Sequence, residues 1–489
     1  MPHTDLRELA FQMRSDELRK YGQSVLERNP ARVAASEVLD LMAYLIECDF
    51  VGAEAKLSTI KFRFKDTPDQ VYVDEATSLA KAHIDFAFGR FDELEVSAHN
   101  FLKNHENVPN LEEGEFLDTL RLLAQKHFIM DESEKLAEIY KEMTKYKTDN
   151  SDINLLYLMN SVYAMFLLSE GEYFKALDVA TSNIEIAKQN HYRGLMAPID
   201  CMYVSAACLF ALAKNNESLE ALHEISELSL KLNFWPWYFI ADGLICRDYA
   251  HKGNMPEALA MIRNERNQLL NVNFRHQLDF MPDVNELYVR FLISDFDRME
   301  VLLARVPELL IVSQIRVFFH EIKGKDMLKY FEGLPEQNPR QKLYKLLGLA
   351  DYYKDKESIS VEYMKQALEI VEKTGSFEMI LRQYGLANIT LKAISQKPTV
   401  LTESLASRLT ERIKIKNEQN TEGLLVPLTK RELEVVRHLS TGKPISSISN
   451  SLHVSMNTMK THLRNIYRKL EVDGREKAVE KAKELFLIQ

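Results

Sequence analysis

The spacing of apolar residues is the feature that most limits how this chain can fold. From Asp5 to about Ser395, apolar side chains recur every three or four residues, with few prolines or glycines between them. That period places apolar side chains on one face of an α-helix, and the alternation of a half-buried strand is not sustained in this range. The spacing predicts an all-α fold class, and a hydrophobic content of 46% is enough to bury large cores.

Short polar breaks divide this helical pattern at a regular interval. They lie at residues 49–52, 89–92, 131–133, 171–172, 215–217, 253–256, 295–297 and 354–357. The first seven breaks are 38 to 44 residues apart, which is the length of a helix pair. The units resemble tetratricopeptide repeats, so we predict an α-solenoid over residues 1–395 whose concave face binds a protein, a peptide or a small molecule. The alternative is an irregular helical domain.

The C-terminal segment differs from the rest of the chain in its charge. Between Glu434 and Glu471 a run of 36 residues contains no Asp or Glu. The cations within the run are Arg437, Lys443, Lys460, Arg464, Arg468 and Lys469. Residues 425–489 carry a net charge of +5, which leaves −15 on the first 424 residues. A surface cleared of carboxylates suits a polyanion, so nucleic-acid binding is expected at the C-terminal segment alone.

The helices expected in this basic segment have the spacing of a helix-turn-helix motif. Apolar residues form one stripe of a helix that begins after Ser455, at Met459, Leu463, Ile466 and Leu470. A short apolar segment, 445–452, precedes it across three residues, the length of a helix-turn-helix connection. Thr429 with Glu432 forms a capping-box pattern for a helix that Gly442 closes, and residues 475–486 predict a fourth helix.

These residues resemble the LuxR/FixJ-type DNA-binding domain over about the last 62 residues. The matching positions are Leu428-Thr429-Lys430-Arg431-Glu432-Leu433-Glu434-Val435, Gly442, Ile448, Leu452, Val454-Ser455, Thr458-Met459-Lys460-Thr461-His462-Leu463, Asn465-Ile466-Tyr467 and Lys469-Leu470. The chain departs from the family at Ser449, Met459 and Glu471, where Ala, Val and Gly are usual. These departures affect packing or a turn more than the face that would read DNA.

The resemblance implies roles for individual residues. Base reading would fall to Lys460, Thr461 and Arg464. Phosphate binding would fall to Thr429, Lys443, Ser455, Thr458, Arg468 and Lys469. Dimerisation on DNA would use the fourth helix, through Ala478, Val479, Ala482 and Leu485. Because half of this last face also packs on its own domain, a purely structural role for it remains an open alternative.

The helical repeats are similar to those of maltose-activator-type regulators, but the signatures of other switch domains are missing from the sequence. No G-x-x-x-x-G-K-[ST] motif occurs, so we do not expect ATP to act as a switch. The start of the chain shows no strands for a phosphoacceptor receiver domain. The sequence contains no nucleophile elbow, no H-E-x-x-H and no Cys/His cluster with metal spacing. We therefore expect no enzyme activity, no cofactor and no metal.

Two features within the repeats have both a functional and a packing interpretation. Trp235, Trp237 and Tyr238 lie within one turn and could line a ligand pocket, although core packing at a helix start is favoured. Cys201 and Cys208 lie seven residues apart and could form a redox pair, although buried small side chains are favoured. The few scattered cysteines and the absence of a signal-peptide pattern indicate a cytoplasmic protein away from membranes.

The sequence thus predicts a DNA-binding transcription regulator with three regions. Residues 1–395 form the sensory or protein-binding repeats, 396–427 a helix and polar linker with a hinge at 416–423, and 428–489 the DNA-binding domain. The expected partners are double-stranded DNA, a second copy of the chain on DNA, and a protein or small-molecule effector at the repeats, with RNA polymerase as a further candidate. The alternative function is a protein-binding scaffold or anti-activator that sequesters another regulator.

Overall fold

The computed structural model describes residues 15–29, 31–105, 113–146, 152–272, 277–292, 296–307, 327–419, 428, 430–452, 454–470 and 472–484. Over these residues it contains 26 α-helices and no strand, which confirms the predicted all-α class. The first sixteen helices are α1 (Ser15–Arg28), α2 (Val33–Ile46), α3 (Phe50–Phe64), α4 (Gln70–Ala76), α5 (Ser78–Ala87), α6 (Phe91–His105), α7 (Glu113–Ile129), α8 (Ser133–Met143), α9 (Ile153–Glu170), α10 (Tyr173–Gln189), α11 (Ile199–Ala211), α12 (Asn215–Lys231), α13 (Trp235–His251), α14 (Met255–Asn271), α15 (Phe280–Leu292) and α16 (Phe296–Leu303). The others are α17 (Met327–Glu332), α18 (Pro339–Tyr352), α19 (Glu357–Thr374), α20 (Phe377–Leu381), α21 (Ala387–Gln396), α22 (Val400–Gln419), α23 (Lys430–Ser440), α24 (Ile445–Ser451), α25 (Met456–Lys469) and α26 (Arg475–Glu484).

One turn geometry recurs in the first half of the chain and produces the repeat. A residue with positive φ stands between paired helices every 40 to 42 residues, at Cys48, Gly89, Asp131, Gly171, Ala213 and Gly253. The residue after each of them donates its backbone N–H to the carbonyl five residues earlier, over 2.7 to 3.0 Å. This closure satisfies a terminal helical carbonyl while the chain reverses direction. The regular breaks in the sequence are therefore the turns inside each helix pair.

The helix pairs stack in chain order. Helix α7 contacts α9, α9 contacts α11, and α11 contacts α13, while the second helix of each pair packs between successive first helices. Buried apolar side chains form one core that runs from Ala34 to Met281. Since each pair buries its apolar face against the pairs beside it, the predicted tetratricopeptide-like α-solenoid is the observed architecture.

Side chains and helices of this solenoid meet across its inner face between α5 and α13. Arg121 on α7 reaches across to Asp200 at the start of α11, with 3.1 Å between Nη1 and Oδ2. Helix α5 likewise contacts α13. The cavity beside Arg121, Asp200 and Trp237 has a volume of about 20 Å³, which is room for a water molecule. The first helices of successive pairs are arranged in a curve so tight that their side chains fill the space between them.

The later helices cover the edge formed by the turns inside the pairs. Arg340 at the start of α18 pairs with Asp131, with 3.2 Å between Nη1 and Oδ1. Asn338 donates to the Glu170 carboxylate over 3.0 Å. Helices α18 to α22 also build a second core, which includes Ala213 of the solenoid. This second unit is therefore attached to the middle of the solenoid.

One apolar segment in the described part of the chain passes a composition test for a membrane span. Gly194–Ala211 has 18 residues, a mean hydropathy of 1.5 and 44% of its residues buried. It consists of a 3₁₀ turn, Gly194–Met196, followed by the 13-residue helix α11. A helix of that length spans about 20 Å, whereas the hydrocarbon layer is about 30 Å thick. Its packing between α10 and α12 explains the apolar composition.

Glu265 on α14 is a fully buried carboxyl group among the repeats. Asn285 on α15 donates to its Oε1 over 3.0 Å, whereas its Oε2 has no hydrogen-bond partner among the described residues. Burial, with a contribution from the nearby Asp242, raises the pKa of Glu265 well above the ordinary value of 4.5. The folded chain therefore holds a proton here at pH values where the unfolded chain has lost it.

We expect Glu265→Gln to flatten the pH dependence of the stability of the repeats. Because the folded pKa is raised, wild-type stability falls as pH rises from 4.5 through the folded pKa. Glutamine cannot ionise and still offers an acceptor to Asn285. The urea midpoint is followed by the fluorescence of the two tryptophans, both on α13, at about pH 5 and about pH 8.

The control for this prediction is Glu185→Gln on α10, whose side chain is 53% exposed. Its pH dependence should match that of the wild type. If Glu265→Gln and the wild type lose stability equally between the two pH values, the claim that Glu265 keeps its proton in the folded chain is contradicted.

Candidate nucleic-acid interface

The last four described helices, α23 to α26, form a small domain around a core of their own. Its buried residues are Leu428, Val435, Val436, Leu439, Ile448, Leu452, Met459, Leu463, Ile466, Leu470, Ala478 and Ala482. Helix α23 contacts α24, α25 and α26. Arg475 ties the domain together, because its Nη2 donates to the Leu439 carbonyl at the end of α23 over 2.7 Å. The four helices expected from the sequence are all present.

The connection between α24 and α25 is as short as the sequence indicates. The N–H of Val454 donates to the Ser449 carbonyl over 3.0 Å, which closes the end of α24. Ser455 then caps α25, because its hydroxyl accepts from the N–H of Thr458 over 3.1 Å. The unusual Ser449 is 2% exposed, and its hydroxyl donates to the Ser446 carbonyl over 2.9 Å. The substitution is therefore accommodated inside the motif.

Helix α25 presents one apolar and one polar face. Met459, Leu463 and Ile466 are buried in the domain core, while Lys460, Thr461 and Arg464 are exposed. Lys460 and Arg464 are four residues apart, so their side chains lie on the same side of the helix. The Thr461 hydroxyl donates to the Asn457 carbonyl over 3.1 Å, which keeps its oxygen as an acceptor. The exposed face combines cationic donors with a hydroxyl, as base-edge recognition requires.

A comparison with known protein families identifies the same C-terminal segment. Residues 426–482 match the sequence profile of the family described as bacterial regulatory proteins, luxR family. The C-terminal domain is a LuxR-type DNA-binding domain. The transcriptional regulator MalT of Yersinia pestis (strain Pestoides F) is 44% identical over 59 residues, which are 12% of this chain and 6% of MalT. The nitrate/nitrite response regulator protein homolog of Haemophilus influenzae is 38% identical over 85 residues, which are 17% of this chain and 38% of that protein.

The similarity to these regulators is thus limited to a small part of each protein, and this chain spans 6% and 38% of their lengths. Among solved structures, a Rap protein complexed with competence and sporulation factor covers 81% of this chain and 98% of its own, at 13% identity and a TM-score of 0.43. The solenoid assignment rests instead on the recurring turns and helix contacts of this chain.

The phosphate-binding residues expected for the LuxR-type domain occupy different environments. Lys443 lies exposed in the turn before α24, and Arg468 lies exposed near the end of α25. Ser455 and Thr458 are exposed, and their hydroxyl oxygens lie 2.8 Å apart at the start of α25. Thr429 lies outside the described residues. The cap therefore lies at the N-terminus of α25, where phosphates are usually bound, and the two exposed cations can contact phosphates through their charge.

Lys469 differs from its neighbour Arg468. Its ammonium group donates to Oε2 of Glu432 over 2.7 Å, and the two side chains are 11% and 4% exposed. Glu432 fits a capping-box pattern in the sequence, and no local pattern indicates its contact with Lys469, 37 residues away. Geometry indicates that Lys469 joins α25 to α23, which is a packing role.

The fourth helix of the LuxR-type domain favours the structural alternative for the predicted dimer face. Ala478 and Ala482 are both 0% exposed, because they pack into the core of their own domain. In this conformation they cannot contact a second copy. Val479 is only partly buried, and Leu485 lies outside the described residues. The dimer face predicted from small residues therefore does not include Ala478 and Ala482.

The aromatic residues considered for a ligand pocket pack in the core, which is the interpretation that the sequence favoured. Trp235, Trp237 and Tyr238 are 9%, 2% and 1% exposed. The ring of Trp237 lies 5.7 Å from that of Tyr203 and 6.3 Å from that of Phe128. Pro236 stands in the first turn of α13, where its missing N–H costs no hydrogen bond. The remaining space at Trp237 is the water-sized cavity described above.

The cysteines and a group of potential metal donors also have structural roles. Cys201 and Cys208 are fully buried, and burial raises the pKa of both thiols. Glu95, His127 and Glu132 place donor atoms within 4.8 Å of one another. The ammonium of Lys126 lies 2.7 Å from Glu95 and 2.9 Å from Glu132. The position between these carboxylates is therefore held by a cation of the protein itself.

We expect Arg468→Ala to lower the salt dependence of DNA binding. Each phosphate contact releases counterions, so its loss should reduce the magnitude of the salt slope by about one unit. Binding is measured by fluorescence anisotropy at several salt concentrations. Lys477→Ala is the matched control, because Lys477 on α26 is also exposed but pairs with Asp473 over 2.9 Å. An Arg468→Ala slope equal to that of Lys477→Ala would exclude a phosphate contact.

Proposed function

We propose that this chain is a sequence-specific transcription regulator in which the exposed face of α25 reads base edges in the major groove. The observation that carries the proposal is the division of α25 into a buried apolar face and an exposed face with Lys460 and Arg464. Both side chains can donate to guanine O6 and N7. Lys443, Ser455, Thr458 and Arg468 would fix the position of the domain on the phosphates, together with Thr429.

Assembly and regulation belong to the same proposal. The family resemblance suggests a homodimer on DNA, for which Val479 is the available described position of the predicted face. The repeats would receive a protein or small-molecule effector, with RNA polymerase as a further candidate partner, in the cytoplasm. Because contacts occupy the inner face between α5 and α13, an effector would bind the outer surface or an edge of the solenoid.

Charge suggests how the repeats control DNA binding. The first 424 residues carry −15 and the C-terminal 65 residues carry +5. An acidic region tethered to a basic domain can shield it and compete with DNA phosphates. An effector that separates the two would then raise DNA affinity through a population shift.

The alternative function is a scaffold that sequesters another regulator. It is favoured by exposed apolar side chains on α3, where Val51 is 62% and Phe62 is 85% exposed. These residues are eleven positions apart and so lie on one helical face. In that case the repeats would act through a protein partner without a change in DNA affinity.

The two functions are separated by comparing the full chain with residues 427–489, a fragment that contains the core of the LuxR-type domain. The fragment is first used to enrich its preferred binding site from random duplex DNA. This enriched DNA is the selected duplex. We expect the fragment to bind the selected duplex at least about 5-fold more tightly than the effector-free full chain at the same salt, the lower end of typical coupling between sites.

Equal affinities of fragment and full chain would contradict shielding and support regulation by recruitment of a partner. Failure to enrich any sequence would contradict sequence-specific binding itself. A duplex of the same composition with a scrambled sequence is the control for nonspecific attraction.

A further inference from the structure

Helix α22 leads from the repeats to the LuxR-type domain and is docked along part of its length. The helix runs from Val400 to Gln419, so it includes the first four residues of the expected hinge at 416–423. Residues 420–427 lie outside the described residues. Leu405 and Leu409 are 2% and 0% exposed in the second core. The first half of α22 is therefore part of the repeat region.

Arg408 attaches α22 to the middle of the solenoid. Its guanidinium donates to the carbonyls of Leu212 and Ala213, where α11 ends and the chain turns. The carbonyls at a helix C-terminus carry partial negative charge and favour a cation. Burial and the adjacent Arg412 both lower the pKa of Arg408, so the two guanidinium groups repel each other at this position. Each guanidinium group has its own acceptors, which are the two carbonyls for Arg408 and the side chains of Glu378 and Asn215 for Arg412.

Arg412, one helical turn further on, makes the second attachment. Its Nη1 and Nη2 donate to the two oxygens of Glu378 over 2.9 and 2.8 Å. Nη2 also donates to Oδ1 of Asn215 on α12 over 3.2 Å. Glu378 is 5% exposed at its side chain and Arg412 is 26% exposed. This is a fork-on-fork pair, which fixes orientation as well as distance.

The attachments connect α22 to several helices of the solenoid. Arg382 shares the Glu378 carboxylate over 2.7 Å and donates to the Tyr288 hydroxyl over 3.3 Å. Asn215 donates to Asp248 on α13 over 3.1 Å. Through these bonds the position of α22 depends on α11, α12, α13, α15 and α20. A rearrangement of any of them would alter the acceptors that hold the two arginines.

We propose that Arg408 and Arg412 form a latch that holds α22 on the solenoid and couples the state of the repeats to DNA binding. The latch rests on the proposed function, and it adds the place where regulation is transmitted. With the latch closed, the connection to the LuxR-type domain is short and the domain stays near the acidic repeats. With the latch open, the docked part of α22 leaves the solenoid. This lengthens the connection between the repeats and the LuxR-type domain, and the domain binds DNA.

The test uses the full chain with Arg412→Ala, Arg412→Lys and Arg408→Ala. Hydrogen exchange of residues 400–419 reports the latch, and affinity for the selected duplex reports the output. We expect Arg412→Ala to accelerate exchange and to raise affinity about 5- to 150-fold, the range of typical coupling energies. Arg412→Lys keeps the charge but loses the fork, so its effect should be smaller.

The matched control is Lys392→Ala on α21, which also removes one cation. Lys392 pairs with Glu357 over 2.8 Å, and both side chains are exposed at 46% and 57%. It should leave exchange and affinity within about 2-fold of the wild type, as expected for a surface pair. An equal rise in affinity for Lys392→Ala would assign the effect to charge and overturn the latch.

The latch is also overturned if exchange of α22 is unchanged in Arg412→Ala and Arg408→Ala, or if exchange accelerates while affinity stays at the wild-type value. Failure of the proposed function is recognised separately, since the wild-type chain would then bind the selected and scrambled duplexes equally.

Discussion

Replacing Lys469 with alanine is expected to destabilise the LuxR-type domain by about 3 kcal/mol, because it removes a cation that pairs with a buried carboxylate. Glu432 is 4% exposed at its side chain and lies 2.7 Å from the Lys469 ammonium. A folded domain is stable by only about 5–15 kcal/mol, so this is a large share. The free energy of unfolding is measured by urea denaturation of residues 427–489, followed by circular dichroism.

Two further variants identify the cause. Lys477→Ala removes an exposed pair with Asp473, whose side chains are 64% and 78% exposed, and should leave the free energy of unfolding close to the wild-type value. The double variant Glu432→Gln with Lys469→Met removes both charges and should recover most of the loss. If Lys469→Ala keeps wild-type stability but lowers the salt slope of DNA binding, Lys469 binds phosphate as the sequence predicted and the packing role is contradicted.

Local features of this chain were predictable from sequence because they depend on neighbouring residues. The apolar period located the helices, and the Ser455 cap with the stripe through Met459 and Leu463 located α25 and its exposed face. The breaks located the turns inside the pairs, although their left-handed residue is glycine at some turns and Cys48, Asp131 or Ala213 at others. The shared feature is a backbone closure, which no single residue type reveals.

Contacts between distant residues could not be read from spacing. Arg121 and Asp200 are 79 residues apart, and their pairing joins α7 to α11 across the inner face of the solenoid. Arg408 and Arg412 bind groups 195 to 197 residues away, so their sequence context suggests only an exposed basic helix. Ala478 and Ala482 illustrate a further limit. Small residues favour close approach, and whether the approach is to the same domain or to a second copy depends on tertiary packing.

Replacing Arg464 with alanine is expected to reduce discrimination between the selected and scrambled duplexes by about 5- to 150-fold, the effect of losing a base contact worth about 1–3 kcal/mol. Arg464 is exposed on the same face of α25 as Lys460. A base contact contributes only on the correct sequence, whereas phosphate contacts contribute on any sequence. Affinity for the scrambled duplex should therefore fall much less than affinity for the selected duplex.

The ratio of the two affinities in Arg464→Ala, compared with wild type and with Arg468→Ala at one salt concentration, tests the reading role of α25 most directly. We predict that Arg464→Ala lowers the ratio, while Arg468→Ala weakens binding to both duplexes equally and leaves the ratio unchanged. If Arg464→Ala weakens binding to both duplexes by the same factor, its side chain does not read bases, and the assignment of the exposed face of α25 as the sequence-reading surface is contradicted.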